Sequence, residues 1–279
     1  MRKSYVEKRR LRFSKSIDGA SPDVLCKSHC HDSYELLFVT EGEGRFVVEG
    51  KEYVLSANSL MITKPLEYHC VIINPDVRYE RYIIRFTDDD LDTEVASALA
   101  SLLGGEDEPR SFFFPGDMGD TVVSICERSQ AASSLSESHS SIYSRMLLSE
   151  LILLSSAVSE EKALSYDGDI SVRVIKYINE HLHRNRQMSL DFLSKRFFVS
   201  KYYLCRVFKK HNGISIHGYI VKKRVMQAKL LIESGEPANM AAARVGFRDY
   251  SAFYRAFLKI VGMPPTDIAQ SRGGKSDEL

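Results

Sequence analysis

Leu204-Cys205-Arg206-Val207-Phe208, with Gly213 five residues on, recurs as Phe253-Tyr254-Arg255-Ala256-Phe257, with Gly262 five residues on, at an offset of 49 residues. In each copy apolar residues at i and i+4 mark one face of a helix. A short helix and a tight turn precede each copy, which is the pattern of a helix-turn-helix unit. A longer helix, roughly 216–233, joins the two units and stops at Ser234-Gly235. Two such units could set two recognition helices into successive major grooves of a duplex, about 34 Å apart. The first unit's second helix would bury Tyr203, Leu204, Val207 and Phe208 and expose Lys201, Tyr202, Cys205, Arg206 and Lys209. The second unit would expose Tyr250, Ser251, Tyr254 and Arg255, with Arg248 just before them.

Outward from the repeat, everything after Ile170 reads as helix. Ile170, Val174, Ile178 and Leu182 form an apolar stripe at helical spacing. Asp169, Ser189 and Ser200 stand where helix N-caps are needed. Further helices are expected near 237–245 and 249–261. Charge changes sign at the same place as the pattern. From Gly168 onward there are 20 Lys/Arg against 9 Asp/Glu, a balance of +11, whereas residues 1–167 carry −10. A basic half beside an acidic one points to a polyanionic partner for the C-terminal half alone. Asp167-Gly168-Asp169 therefore reads as the linker between domains 1–166 and 167–279.

Over about 170–265 the chain resembles the AraC family of transcription regulators. The resemblance is carried by Ser189-Leu190 with Leu193, by Val199-Ser200 with Tyr203-Leu204, Arg206, Phe208-Lys209 and Gly213-Ile214-Ser215, and by Tyr219, Arg224, Ala228 and Leu230-Leu231. It continues through Val245-Gly246-Phe247, Ser251, Phe253, Arg255, Phe257, Gly262 and Pro265. What the resemblance implies is a bipartite helix-turn-helix module on promoter DNA, in a chain that dimerises and answers a small molecule, a sugar being one class. This sequence departs from the family at Ala238, Ala241, Ala252 and Leu258, and at Ile268-Ala269, so the first unit reads as the stronger DNA reader. Lys201, Tyr202, Cys205, Tyr250, Ser251 and Tyr254, near helix starts, are the preferred base readers. Lys209 suits a phosphate, and Arg206 and Arg255 suit a base, a phosphate or packing within the domain.

The other half reads as β from about Leu25 to Phe86, with Gly42-Glu43-Gly44 and Glu49-Gly50-Lys51 as hairpin connections. Helices follow at 91–103, 122–130 and 142–163, with a serine-rich loop or frayed end at 133–141. His29-Cys30-His31-Asp32-Ser33-Tyr34-Glu35, six residues before Gly42, resembles the first motif of the cupin barrels, and Pro65 with His69 a shortened second one. On a strand, His29, His31 and Glu35 would share a face, with Cys30 opposite. Such a set suits a divalent transition metal, or the lining of an organic-effector pocket at a barrel mouth. The reading adopted is the pocket, with His29, His31, Glu35, Arg45 and His69 as its polar contacts and no resident metal or cofactor. The basic N-terminus (Arg2, Lys3, Lys8, Arg9, Arg10, Arg12) could lie over that mouth or against the DNA-binding half.

Composition is that of an ordinary globular chain, 44% apolar and 27% charged. No apolar run reaches the length of a membrane span or forms a signal peptide core. Five cysteines (Cys26, Cys30, Cys70, Cys126, Cys205) at irregular spacing make no disulfide framework. A cytoplasmic protein is expected. Nucleophile-elbow, P-loop and Rossmann fingerprints are missing. A metal-dependent cupin oxygenase or isomerase is the competing function class, and the repeat and the basic half decide against an enzyme. The expected architecture is α+β: a cupin-like barrel, a helical dimerisation segment in 142–163, then an all-α domain with two helix-turn-helix units. The expected function is a DNA-binding regulator, an activator contacting RNA polymerase as a homodimer under control of a small-molecule effector.

Overall fold

A computed structural model describes residues 11–18, 28–74, 76–104, 110–161 and 169–268. The basic N-terminal residues up to Arg10, Cys26, the Asp167-Gly168 linker and Ala269 lie outside the described residues. The chain divides into two compact units, Met1–Tyr166 and Asp167–Leu279.

In the first unit, strands β1 (Arg12–Asp18), β2 (Tyr34–Glu41), β5 (Ser59–Thr63), β7 (Tyr79–Phe86), β8 (Ser111–Phe113) and β9 (Ser159–Glu161) form one sheet in the order β1-β7-β2-β5-β8-β9. Strands β3 (Gly44–Val48), β4 (Lys51–Leu55) and β6 (His69–Ile73) form a second, β4-β3-β6. Every strand pair is antiparallel. Among the described residues the strands make two separate sheets and not one closed ladder.

The run Leu36-Leu37-Phe38-Val39 explains the layering, because a strand apolar at successive positions must be covered on both faces. Leu36 and Phe38 pack with Leu60, Ile62, Tyr82 and Ile84 against helices α1 (Thr93–Leu103), α2 (Asp117–Ala131) and α3 (Glu137–Ser155). Leu37 and Val39 pack with Met61 against Phe46, Tyr53 and Leu55 of the smaller sheet. Glu49 and Gly50, both at positive φ, close a two-residue hairpin between β3 and β4. Gly42 does not make the expected hairpin. It carries the chain from the larger sheet to the smaller one at φ +118°, where a Cβ would meet the Tyr79 ring at 2.9 Å.

The helix expected over 142–163 runs instead from Glu137 to Ser155, and the chain then turns extended into β9, which pairs with β8. The serine-rich stretch before it is partly helical, with Ser136 capping α3 through the His139 N–H. Serine is the preferred helix starter, so a serine run hides the boundary rather than marking a loop.

The second unit is helical throughout: α4 (Ile170–His181), α5 (Leu190–Arg196), α6 (Lys201–Asn212), α7 (Ile216–Glu233), α8 (Ala238–Arg244) and α9 (Tyr250–Val261). Asp169, Ser189, Ser200, Ser215 and Asp249 accept the N-cap hydrogen bonds of α4, α5, α6, α7 and α9. Leu204, Phe208, Phe253 and Phe257, the repeat's paired apolar residues, are all buried, each contributing about 1.5–3 kcal/mol. Gly213 and Gly262 end α6 and α9 at φ +66° and +83°, the left-handed cap that glycine adopts without strain. Of the positions where the family has larger aliphatics, Ala241 is buried in a core with Val225, Ala228, Phe253 and Phe257, and Ala238 packs partly buried against it.

Candidate functional site

On α6, Lys201, Tyr202, Arg206 and Lys209 are exposed and Cys205 is half-buried. Tyr202 is 77% exposed, and the Arg206 guanidinium stands 5.8 Å from its ring centroid, within cation–π range. Lys201 lies against Asp191 of α5, and that contact holds the aspartate carboxyl below its usual range. On the second unit, Arg248, Tyr250, Ser251 and Arg255 are exposed and Tyr254 is half-buried beside Tyr250. Asp249 caps α9 by accepting from the Ser251 and Ala252 N–H groups at 3.2 and 2.8 Å. Both repeat arginines are exposed.

Tyr203 departs from expectation: it is 42% exposed and not buried. With Ile170, Arg206, Val207 and His211 it lines an open recess beside the start of α4. In the i, i+4 stripe only Leu204 and Phe208 reach the core, and Val207 is half-buried. Sequence reading also missed Phe198. This turn residue between α5 and α6 is 94% exposed and sits at φ +55°, a conformation costly for a bulky side chain.

The second cluster lies between the two sheets of the first unit. Odd-numbered residues of β2 face the smaller sheet, and this sends the Glu35 carboxylate inward. Its Oε2 accepts from Arg85 Nε at 2.7 Å, across the β2–β7 register that pairs Glu35 with Arg85. His31 Nε2 stands 3.3 Å from Glu35 Oε2, and His69 Nε2 stands 3.5 Å from Oε1. His29 joins through an antiparallel bridge to His69, their ring centroids 4.4 Å apart. One ring nitrogen from each of the three histidines falls within 4.8 Å of the others.

The histidines and Glu35 thus converge, although not from a single strand: His29 and His31 precede β2, and His69 opens β6. Arg45 is not brought to them. It sits on β3 with a side chain 51% exposed and pairs with Glu52, because its alternation with buried Phe46 turns it outward. Arg85 takes the cationic place, a partnership that only the strand register reveals. Burial opposes ionisation of Glu35, but its contacts with His31 and His69 and the Arg85 charge outweigh that penalty and hold the carboxyl far below the usual range.

A helical unit with two capped helix-turn-helix hairpins and exposed cations, in one chain with a β-rich unit that holds an internal polar cluster, defines a ligand-binding DNA regulator. The family model for the AraC-like ligand binding domain matches residues 17–156, and that for a helix-turn-helix domain matches residues 193–271. The chain belongs to the AraC family of DNA-binding transcription regulators. It is 26% identical over 248 residues to the HTH-type transcriptional regulator YbfI of Bacillus subtilis (strain 168), covering 80% of each chain. It is 23% identical over 262 residues to the HTH-type transcriptional activator RhaS of Klebsiella pneumoniae (strain 342), covering 92% of each. Among solved structures, the C-terminal domain of AraT, a response regulator from Geobacillus stearothermophilus, aligns at 30% identity and a TM-score of 0.36, covering 39% of this chain and 89% of that one. No helix among the described residues is long and apolar enough to cross a membrane.

Proposed function

We propose that the chain is a cytoplasmic transcription activator whose C-terminal unit, residues 167–279, binds promoter DNA under control of a ligand held by residues 1–166. The observation that carries this reading is the exposed set on the second helix of each unit, over a core that fixes both helices. Lys201, Tyr202, Cys205, Tyr250, Ser251 and Tyr254 read base edges, while Arg206, Lys209, Arg248 and Arg255 contact bases or phosphates. The effector, a small molecule of which a sugar is one class, contacts His29, His31, Glu35 and His69. It shifts transcription by binding one arrangement of the two units more tightly than another. The protein is a regulator and not an enzyme.

Homodimerisation runs through α3. Leu147, Leu148, Leu151 and Ile152 are buried in their own unit, whereas Ile142, Met146 and Leu153 lie 51%, 62% and 53% exposed. A helix apolar on two faces has a second face to cover, and a twofold axis there suits a repeated or palindromic operator. RNA polymerase is the partner that makes the bound dimer an activator.

A footprint of the full chain on DNA upstream of its own and neighbouring genes, at two salt concentrations, tests the reading. Two adjacent major-groove faces should be protected, with affinity falling steeply as salt rises. Uniform coverage without a protected site, with and without candidate effectors, would overturn it.

A further inference from the structure

α7 joins the two helix-turn-helix units, and apolar packing holds both to it. Tyr219 meets Phe208 of the first unit edge-on, with ring centroids 5.6 Å apart. Val225, Ala228 and Ile232 enter the core of the second unit with Phe253 and Phe257. Apolar contact is non-directional, so by itself it lets each unit roll about the axis of α7. Hydrogen bonds to fixed carbonyls resist that motion. Arg224, midway along α7 and buried, makes them to both sides. Its Nε and Nη2 donate to the Leu182 carbonyl at the end of α4, and its Nη1 donates to Asn185 Oδ1 and to the Gly246 carbonyl, all at 3.0 Å or less.

Each of these carbonyls leads to one exposed helix of the repeat. On the first side, Asn212 Nδ2 of α6 donates to Ser171 Oγ of α4 at 2.7 Å, and Tyr219 OH of α7 donates to Asn179 Oδ1 of α4 at 3.0 Å. On the second, Gly246 runs directly into Phe247, whose ring packs edge-on against Phe253 of α9 with centroids 5.3 Å apart. The guanidinium can come this close because residue 246 has no side chain. A Cβ there would meet Arg224 Cζ, Arg224 Nη2 and the His183 carbonyl, each at 3.0 Å. A planar fork holds its partners at fixed angles. From this we infer that Arg224 is a positioning residue for DNA recognition: it fixes the separation and relative rotation of α6 and α9, and with them the number of base pairs between the two segments that they read. The inference rests on the reading that both helices enter the major groove. One base pair moves the second segment by about 3.4 Å and turns it by about 35°, which a pinned pair of helices cannot follow.

The test is binding of the full chain to labelled duplexes, read by fluorescence anisotropy. The duplexes are the footprinted site, the same site with one base pair inserted or deleted between its two protected segments, and two that each keep a single segment. The parent should lose about 10-fold or more on insertion or deletion, the scale of a mismatched base pair. In Arg224→Lys that penalty should fall to about 2–3-fold, since one ammonium cannot span the partners of a fork, while affinity for either segment alone stays at the parental value. Asn185→Ala, which removes one acceptor and leaves α7 untouched, should give an intermediate penalty. A parental penalty in folded Arg224→Lys overturns the inference, as does a parent indifferent to spacing. Equal loss on every duplex, single segments included, at the parental circular-dichroism signal also overturns it, because a loosened fold and not the spacing would then be the cause. Should Arg224→Lys lose that signal, Asn185→Ala decides on the same duplexes. Failure of the regulator reading shows differently: the parent itself then protects no site and binds neither segment better than random duplex.

Discussion

Replacing Arg224 by Met removes a buried guanidinium that ties the two helix-turn-helix units together. Its Nε and Nη2 donate to the Leu182 carbonyl at 2.9 and 2.6 Å, and its Nη1 donates to Asn185 Oδ1 at 2.9 Å and to the Gly246 carbonyl at 3.0 Å. Leu182 ends α4 in the first unit, while Gly246, at φ +98°, turns the chain between α8 and α9 in the second. Burial lowers the guanidinium's pKa from a value high enough that it stays charged. Methionine fills much of the volume but leaves both carbonyls without these donors. At about 1–3 kcal/mol for each buried group left unsatisfied, less some relaxation toward water, the expected loss is about 2–5 kcal/mol. The assay is urea denaturation of the full chain followed by circular dichroism, with the helical transition of the C-terminal unit read against the parent. Arg224→Lys should recover only part of the loss, since one ammonium cannot reproduce a planar fork that spans both units. A loss below about 1 kcal/mol for Met, or full recovery with Lys, would refute the reasoning.

Phe198→Gly should stabilise the C-terminal unit by about 0.5–1 kcal/mol in the same assay. It relieves about 1–2 kcal/mol of left-handed strain, set against the entropy of a freer unfolded chain, and a side chain 94% exposed forfeits no packing. Arg206→Ala should weaken specific DNA binding by about 1–3 kcal/mol and relax preference at one base position if it reads a base. Loss that is uniform across sequences, with a shallower salt slope, would assign it to phosphate, and unchanged binding would remove it from the interface. Met146→Glu, placed on the exposed face of α3, should shift sedimentation from dimer to monomer with secondary structure intact. A dimer that survives would place the interface elsewhere.

The helical unit was the more legible part of the sequence, because its signals are local. A cap serine, paired apolar residues and a terminal glycine act within one or two turns, and each holds at Ser200, Leu204, Phe208 and Gly213. Tyr203 escaped that logic. A stripe specifies a direction, and how far burial extends around the helix depends on what α4 covers. The β-rich unit was less legible because its partnerships are long-range. Glu35 and Arg85 lie 50 residues apart, and only the β2–β7 register pairs them. Arg45 read as a pocket residue, yet strand alternation turns it to Glu52. The histidine spacing placed His29, His31 and Glu35 on one strand, whereas His29 and His31 precede β2 and the convergence comes from the His29–His69 bridge.

The two proposed DNA-facing helices are not equivalent electrostatically, and the difference begins at their caps. A neutral serine caps α6, and the helix carries Lys201, Arg206, Lys209 and Lys210. A carboxylate, Asp249, caps α9, and that helix carries Arg255 and Lys259, with Arg248 just outside it. Both caps satisfy the helix, and the charged one does so more strongly because it also meets the positive end of the helix dipole. That same charge stands beside Tyr250 and Ser251, at the end of the helix where base edges would be read, and it repels phosphate. Stability of the second helix and its attraction to a polyanion are therefore opposed at Asp249, whereas at Ser200 they are not. The first unit should accordingly supply most of the salt-dependent grip, leaving the second to read sequence through neutral groups, Tyr250, Ser251 and Tyr254. In that division, ligand control of the second unit's engagement could change which site is occupied without releasing the protein from DNA.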